Sequence, residues 1–212
     1  MRLTAMQLDA VRELGMIGAG HAATGLSTLL GARVTIRVPD AWLIDVADVA
    51  ELLGGAEQPV AAVSFQISGR MAGYLLFVFP TSEAVRFVAR VMSRPLAHRD
   101  LAEDALARSA LKEIGNIACG AYVSAFAKLA QAPLVPSVPS LAIDMLQAVL
   151  DGILCQLAKS AEHALVLQTT YALEGQAVRG HLLFFTDADG VRAMVEALRA
   201  LPTARSAGAA TP

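Results

Sequence analysis

A segment of the chain returns a hundred positions after its first appearance. Residues 9–31 read DAVRELGMIGAGHAATGLSTLLG, and residues 109–131 read SALKEIGNIACGAYVSAFAKLAQ. Ala10, Glu13, Gly15, Ile17, Gly20 and Leu29 align with Ala110, Glu113, Gly115, Ile117, Gly120 and Leu129, and Pro39 aligns with Pro139. Farther along, GRMAGYLLFVFPTSEAVRFVARVM from Gly69 resembles GQAVRGHLLFFTDADGVRAMVEAL from Gly175, at an offset of 106 to 107. A repeat of this length restricts the chain to folds in which one unit is built twice and the copies bury each other's apolar faces.

Each copy predicts the same order of elements. A leading helix runs from Leu8 to Leu30 and again from Leu101 to Ala130, with Leu111, Ile114, Ala118, Ala121 and Ala125 at helical spacing. The β-branched run Val34 to Val38 follows and ends at a proline, which cannot donate to a sheet. Its counterpart, Leu134 to Val138, is flanked and interrupted by Pro133 and Pro136 and reads as an edge strand or an extended segment. Short helices are expected at Val46 to Leu53 and Ala142 to Leu157, then paired strands at Ala61–Ile67 with Gly73–Phe79 and at Ala164–Thr170 with Gly180–Phe185. A closing helix, Ser82 to Met92 or Asp189 to Leu201, ends each copy.

A sheet with one apolar face needs cover, and the two leading helices supply it. The expected fold is therefore α+β: a pseudo-twofold internal repeat with two long helices packed on a shared β-sheet. One domain is expected over residues 1–201, made of repeats at about 1–93 and 101–201, with a flexible tail at 202–212.

Composition narrows the function. Hydrophobic residues make up 55% of the 212 and charged residues 17%, which excludes a disordered chain. The formal charge of -2 leaves no broad basic surface for a nucleic-acid backbone. Mean hydropathy is high, +0.52, yet no stretch of eighteen apolar residues runs free of charges and prolines, so no membrane insertion is expected. The amino terminus carries Asp9 and Glu13 in a helical pattern and lacks an export signal, which points to a cytoplasmic protein. Cys119 and Cys155 lie in apolar sequence without a nearby histidine and read as buried thiols rather than a disulfide or zinc site. His21, His98, His163 and His181 are scattered and read as surface or boundary residues.

Chemistry concentrates on the second leading helix. Glu113 and Asn116 are three apart and share one face, with Ser109 a turn before and Gly120 a turn after. That face lies away from Leu111, Ile114 and Ala118, so the pair should be exposed together. Gly115, Ala118, Cys119 and Gly120 are all small, and each glycine costs a helix about 1 kcal/mol relative to alanine. Something is expected to approach this helix closely. No P-loop, metal-ligand cluster or serine nucleophile with a base suggests another chemistry.

The pattern Ser109-x3-Glu113-x2-Asn116-x22-Pro139, with its first copy Asp9-x3-Glu13-x2-Met16-x22-Pro39, resembles the signature of the CheC, CheX and FliY family of chemotaxis phosphatases. That family shares its repeated architecture with the middle domain of the flagellar switch protein FliM. The resemblance implies a phosphatase acting on a phosphorylated CheY-type response regulator, with Glu113 and Asn116 entering the regulator's active site. It further implies that Asn116 orients the attacking water, that Glu113 docks on a regulator lysine, and that Ser109 and Pro139 support the motif. It implies no cofactor of the chain's own, Mg²⁺ being held by the partner regulator. CheD is implied as a further partner, and the apolar segment from Ser140, SLAIDMLQAVLDGILCQLA, is its expected docking element. The other reading the resemblance allows is a noncatalytic binding module, CheD-binding or flagellar-switch-like.

The first copy departs from the signature where it matters. Asp9, Glu13 and Pro39 are kept, but Met16 replaces the asparagine. A thioether accepts hydrogen bonds weakly and donates none, so it cannot hold a water in place. The first site is expected to be catalytically degenerate, with Glu13 left as a docking group.

Overall fold

The computed structural model describes residues 4–157, 163–173 and 175–200. Helix α1 (Ala5–Leu30) leads to strands β1 (Val34–Arg37) and β2 (Ala41–Asp45), a 3-10 turn and the short α2 (Val49–Leu52). The hairpin β3 (Pro59–Gly69) and β4 (Gly73–Pro80) and helix α3 (Thr81–Val91) complete the first copy. The second copy opens with α4 (Asp100–Glu103) and α5 (Ala105–Ala130) and continues with β5 (Leu134–Pro136), β6 (Ser140–Met145) and α6 (Leu146–Gln156). It closes with β7 (His163–Leu173), β8 (Gln176–Thr186) and α7 (Ala188–Ala200).

Among the described residues, eight strands form one antiparallel sheet in the order β1-β7-β8-β4-β3-β5, with β2 also on β7 and β6 also on β3. The central pair is β4 with β8, one strand from each copy, in register from Gly73↔Thr186 to Val78↔His181. The outer strands are exchanged. β1 and β2 of the first copy pair with β7 of the second, and β5 and β6 of the second pair with β3 of the first.

Both faces of the sheet are buried. Ala61, Val63, Phe65, Leu75, Phe77, Phe79, Leu165 and Leu167 face the layer of α1, α5, α3 and α7. Val60, Ala62, Leu76, Val78, Ala164, Val166, Leu183 and Phe185 face the opposite side, which α2 and α6 cover through Val49, Ala50, Leu53, Leu146, Val149 and Leu150. This explains the continuous apolar runs in the hairpins, because a strand covered on both faces has no polar side to alternate with. The sheet is thus apolar on two faces, and the two long helices cover only one of them.

Two further expectations are corrected. The helix expected from Leu101 to Ala130 is two helices, because Asp104 leaves the helical conformation (φ -85°, ψ 114°) and caps α5. The helix expected from Ala142 begins at Leu146, and the residues before it form β6. In β6, half-buried Leu141 and Ile143 alternate with exposed neighbours, a period of two too short to stand out beside the helical pattern that follows. β2, absent from the sequence reading, fills the equivalent place on β7. The segment from Ser140 pairs with β3 through β6 and supplies core residues through one face of α6, so its apolar residues are those of a strand and of a half-buried helix. The expected tail, residues 202–212, and Leu201 lie outside the described residues.

Candidate active site

Helix α5 is held rigidly at its start and along one face. The Asp104 carboxylate accepts hydrogen bonds from the N–H groups of Leu106 at 2.8 Å and Ala107 at 3.2 Å and pairs with Arg94. These backbone hydrogen bonds, Ala107 first and Leu106 next, together with the Arg94 guanidinium, hold its pKa below the usual carboxylate value. Ala107, Leu111, Ile114, Gly115 and Ala118 are buried along the inner face. Gly115 rests on β3 so closely that a Cβ there would lie 2.7 Å from Cγ1 of Val63.

The opposite stripe of α5 is open. Leu106, Ser109, Glu113, Asn116 and Gly120 are all exposed and follow one another at steps of three and four, so they form one line along the helix. Among the described residues neither Glu113 nor Asn116 has an ion-pair or side-chain hydrogen-bond partner within the protein. A carboxylate and an amide therefore stand ready for an outside group on a helix packed along its opposite face. Leu106, 69% exposed at the head of the stripe, was not singled out by the sequence reading. Its signal is its register: three residues before Ser109, and matched a hundred positions earlier by Met6, 68% exposed.

The first copy presents the same stripe on α1: Met6, Asp9, Glu13, Met16 and Gly20 are exposed. Here Asp9 is engaged by Arg12 at 2.7 Å, and Met16 projects its thioether outward, 56% exposed. The two helices pack antiparallel, with Gly18 against Tyr122 and Gly25 against Ile117. This offsets the Met16 and Asn116 levels by about nine residues, roughly 14 Å along the helix axes.

The motif prolines serve the sheet. Pro39 lies between β1 and β2 and Pro139 between β5 and β6, where each pair of short strands bends as it follows one long partner. The Asp40 carbonyl accepts from the Gln168 N–H at the first bend, and at the second the Ser137 N–H donates to the Gln66 carbonyl. A residue without an N–H suits a position where the ladder is interrupted. Pro39 is exposed and Pro139 half-buried.

The expected exposure of Glu113 and Asn116 and burial of Ile114 and Ala118 are both present, while Ala121 is half-buried. The small residues divide in two. Gly115, Ala118 and Cys119 are small because the sheet and core press on them, and only Gly120 faces open space. Cys119 is buried and its thiol is pushed up to about 12 by burial, whereas Cys155 is exposed on α6, contrary to expectation. His21 and His98 are exposed, His163 lies 3.2 Å from Asp45, and burial lowers the pKa of His181. Among the described residues no three or more His, Cys, Asp or Glu converge as metal ligands, and no helix is long and apolar enough to cross a membrane.

The chain is 35% identical over 197 residues to the CheY-P phosphatase CheC of Bacillus subtilis (strain 168), covering 92% of this chain and 94% of that protein. The chain belongs to the CheC-like family. The CheC-like family model matches residues 6–42 and 106–143, that is, each long helix with the strand and motif proline that follow it. The fold agrees as well. The CheC-like chain superimposes on Thermotoga maritima FliY with a TM-score of 0.71 at 22% identity, covering 94% of this chain and 98% of that one. It superimposes on the Helicobacter pylori FliM middle domain with a TM-score of 0.62 at 12% identity, covering 92% and 99%.

Proposed function

We propose that this CheC-like chain hydrolyses the aspartyl phosphate of a phosphorylated CheY-type response regulator, using the α5 stripe. The observation that carries this reading is the joint exposure of Glu113 and Asn116, unengaged by the other described residues, on a helix packed from behind through Leu111, Ile114 and Gly115. An acyl phosphate is already activated, so its hydrolysis needs positioning and electrostatics more than covalent help. The amide of Asn116 accepts from an attacking water through its carbonyl and donates through its NH₂, which suits it to hold that water in line with the aspartyl leaving oxygen. The bond between phosphorus and that oxygen breaks, a bond to the water oxygen forms, and the water proton leaves with inorganic phosphate or to solvent. Glu113, as a carboxylate, pairs with a lysine of the regulator and sets the register of docking. The divalent ion that neutralises the phosphoryl oxygens belongs to the regulator.

The relative named CheY-P phosphatase CheC supports the substrate, and the Met16 stripe supports a division of labour in which only the second copy is catalytic. The test is direct. Decay of a phosphorylated CheY-type regulator should accelerate in the presence of the chain and return to its intrinsic rate with Asn116→Ala. Unchanged decay with the native chain would leave a noncatalytic binding module as the better reading.

A further inference from the structure

The repeat keeps a glycine at two positions of the long helices, and the structure accounts for only one of them. Gly15 and Gly115 both press on the sheet: a Cβ would lie 3.2 Å from Leu167 and 2.7 Å from Val63, respectively. Gly20 and Gly120 have nothing within 4 Å of where a Cβ would stand, although both sit in the middle of helices that would gain from any other residue except proline. The remaining glycines inside α1, Gly18 and Gly25, are occupied by Tyr122 and Ile117 of α5, and their counterparts are alanines. Among the described residues, that of Gly20 and Gly120 is the one helical position that is an open glycine in both copies. Gly152 of α6 is open too, but its counterpart at the same offset is Leu52.

Gly120 is also one turn beyond Asn116 on the same stripe. Asparagine is a short side chain. For its amide to reach a water beside a phosphoryl group seated inside another protein, the helix backbone must itself come close to that protein's surface. The neighbour on the amino-terminal side of Asn116 along the stripe is Glu113, which the docking uses. The neighbour on the carboxy-terminal side is a residue with no side chain.

We infer that Gly120 is the clearance point of the docking surface, where the receiver domain of the regulator passes against the bare backbone of α5 and so sets how deeply Asn116 enters. This rests on the phosphatase reading and adds a positioning residue to it. Gly120 acts by what it leaves empty. Any side chain there holds the receiver away, with the larger effect from the longer side chain.

The test compares the native chain with Gly120→Ala, Gly120→Met and, as a control on a distant helix, Gly152→Met. Each is melted, titrated with a beryllofluoride-loaded CheY-type receiver domain, and assayed for decay of the phosphorylated regulator. All three variants should melt no lower than the native chain, because each replaces an uncovered helical glycine. Gly120→Met should weaken receiver binding and raise KM by about tenfold or more, the equivalent of a moderate steric clash, and Gly120→Ala by less. Gly152→Met should bind and hydrolyse as the native chain does. Native binding and turnover in Gly120→Met would overturn the clearance role while leaving the phosphatase reading intact. Equal impairment in Gly152→Met would overturn it as well, since the effect would not be local. A native chain that neither binds the receiver nor accelerates decay would overturn the phosphatase reading itself and this one with it.

Discussion

Gly18 of α1 faces the ring of Tyr122 of α5, and a Cβ on Gly18 would lie 2.7 Å from Cδ1 of that ring. Tyr122 is fully buried and packs in turn on Phe77 of the sheet, with ring centroids 5.9 Å apart. The ring therefore has nowhere to retreat.

Gly18→Ala should destabilise the protein in spite of the better helix propensity of alanine. Overpacking of this kind costs about 1–3 kcal/mol, against a propensity gain of about 1 kcal/mol. Gly20→Ala, two residues along and uncovered, should be neutral or stabilising. Paired denaturant titrations measure both, and a Gly18→Ala midpoint at or above the native value would show that the helix pair relaxes more easily than this contact implies.

The two copies should separate cleanly in kinetics. Asn116→Ala should lower stimulated dephosphorylation by about a hundredfold, the scale associated with losing alignment of a reacting group. Glu113→Ala should act chiefly on KM. Glu13→Ala and Met16→Ala should leave the rate within a factor of about two, because the first stripe lacks the amide that positions water. A Glu13→Ala chain as impaired as Asn116→Ala would show that the first copy works.

Met16→Asn should install a second working amide. The stripe around it keeps Glu13 and Gly20 exposed, so turnover per chain should rise by up to about twofold at saturating regulator. Asp9 is tied to Arg12, whereas Ser109 has no side-chain partner among the described residues, and adding Asp9→Ser is the natural second step if the single change gives nothing.

Asp104 should make stability depend on pH at the acidic end. Its folded pKa lies below the unfolded value of about 3.9, so its contribution is present in full above that value and is lost as pH falls through the folded pKa. Asp104→Asn keeps a capping side chain and removes the charge. Its melting temperature should converge with that of the native protein as pH drops below about 4, and a constant difference across that range would mean the cap alone matters.

The two thiols should differ sharply in reactivity. Exposed Cys155 should react with a thiol reagent at pH 8 in the native state, while Cys119, buried and pushed up to about 12, should react only after unfolding. Counting labelled sulfurs before and after adding denaturant decides this.

The site was more legible in the sequence than the sheet was. Glu113 and Asn116 announce themselves because a helix exposes residues three apart together and because the repeat supplies a second copy for comparison. The strands at 41–45 and 140–145 were hidden for the opposite reason: what makes them strands is a partner more than seventy residues away at closest, Ser64↔Ser140. Leu141 and Ile143 carry a period-two pattern over too few residues to compete with the helical spacing of Leu146, Val149 and Leu150. The helix break at Asp104 was legible in principle, since an aspartate before an apolar periodic run is a capping signal. It was obscured by α4, whose own residues continue the helical pattern. The second buried face of the sheet could have been read from the unbroken apolar stretch Leu75 to Phe79.

The exchange of outer strands also dictates when this protein can finish folding. Strand β2 ends at Asp45, but its partner β7 begins only at His163. A ribosome adding about 5–20 residues per second needs roughly 6–25 s to bridge that interval, during which the first copy has its edge strands made and no sheet to join them to. Its own hairpin meanwhile waits for β8 along one side and for β5 and β6 along the other. The nascent first half is therefore an aggregation hazard with two open edges, and folding should be slow, late and governed by contacts distant in sequence.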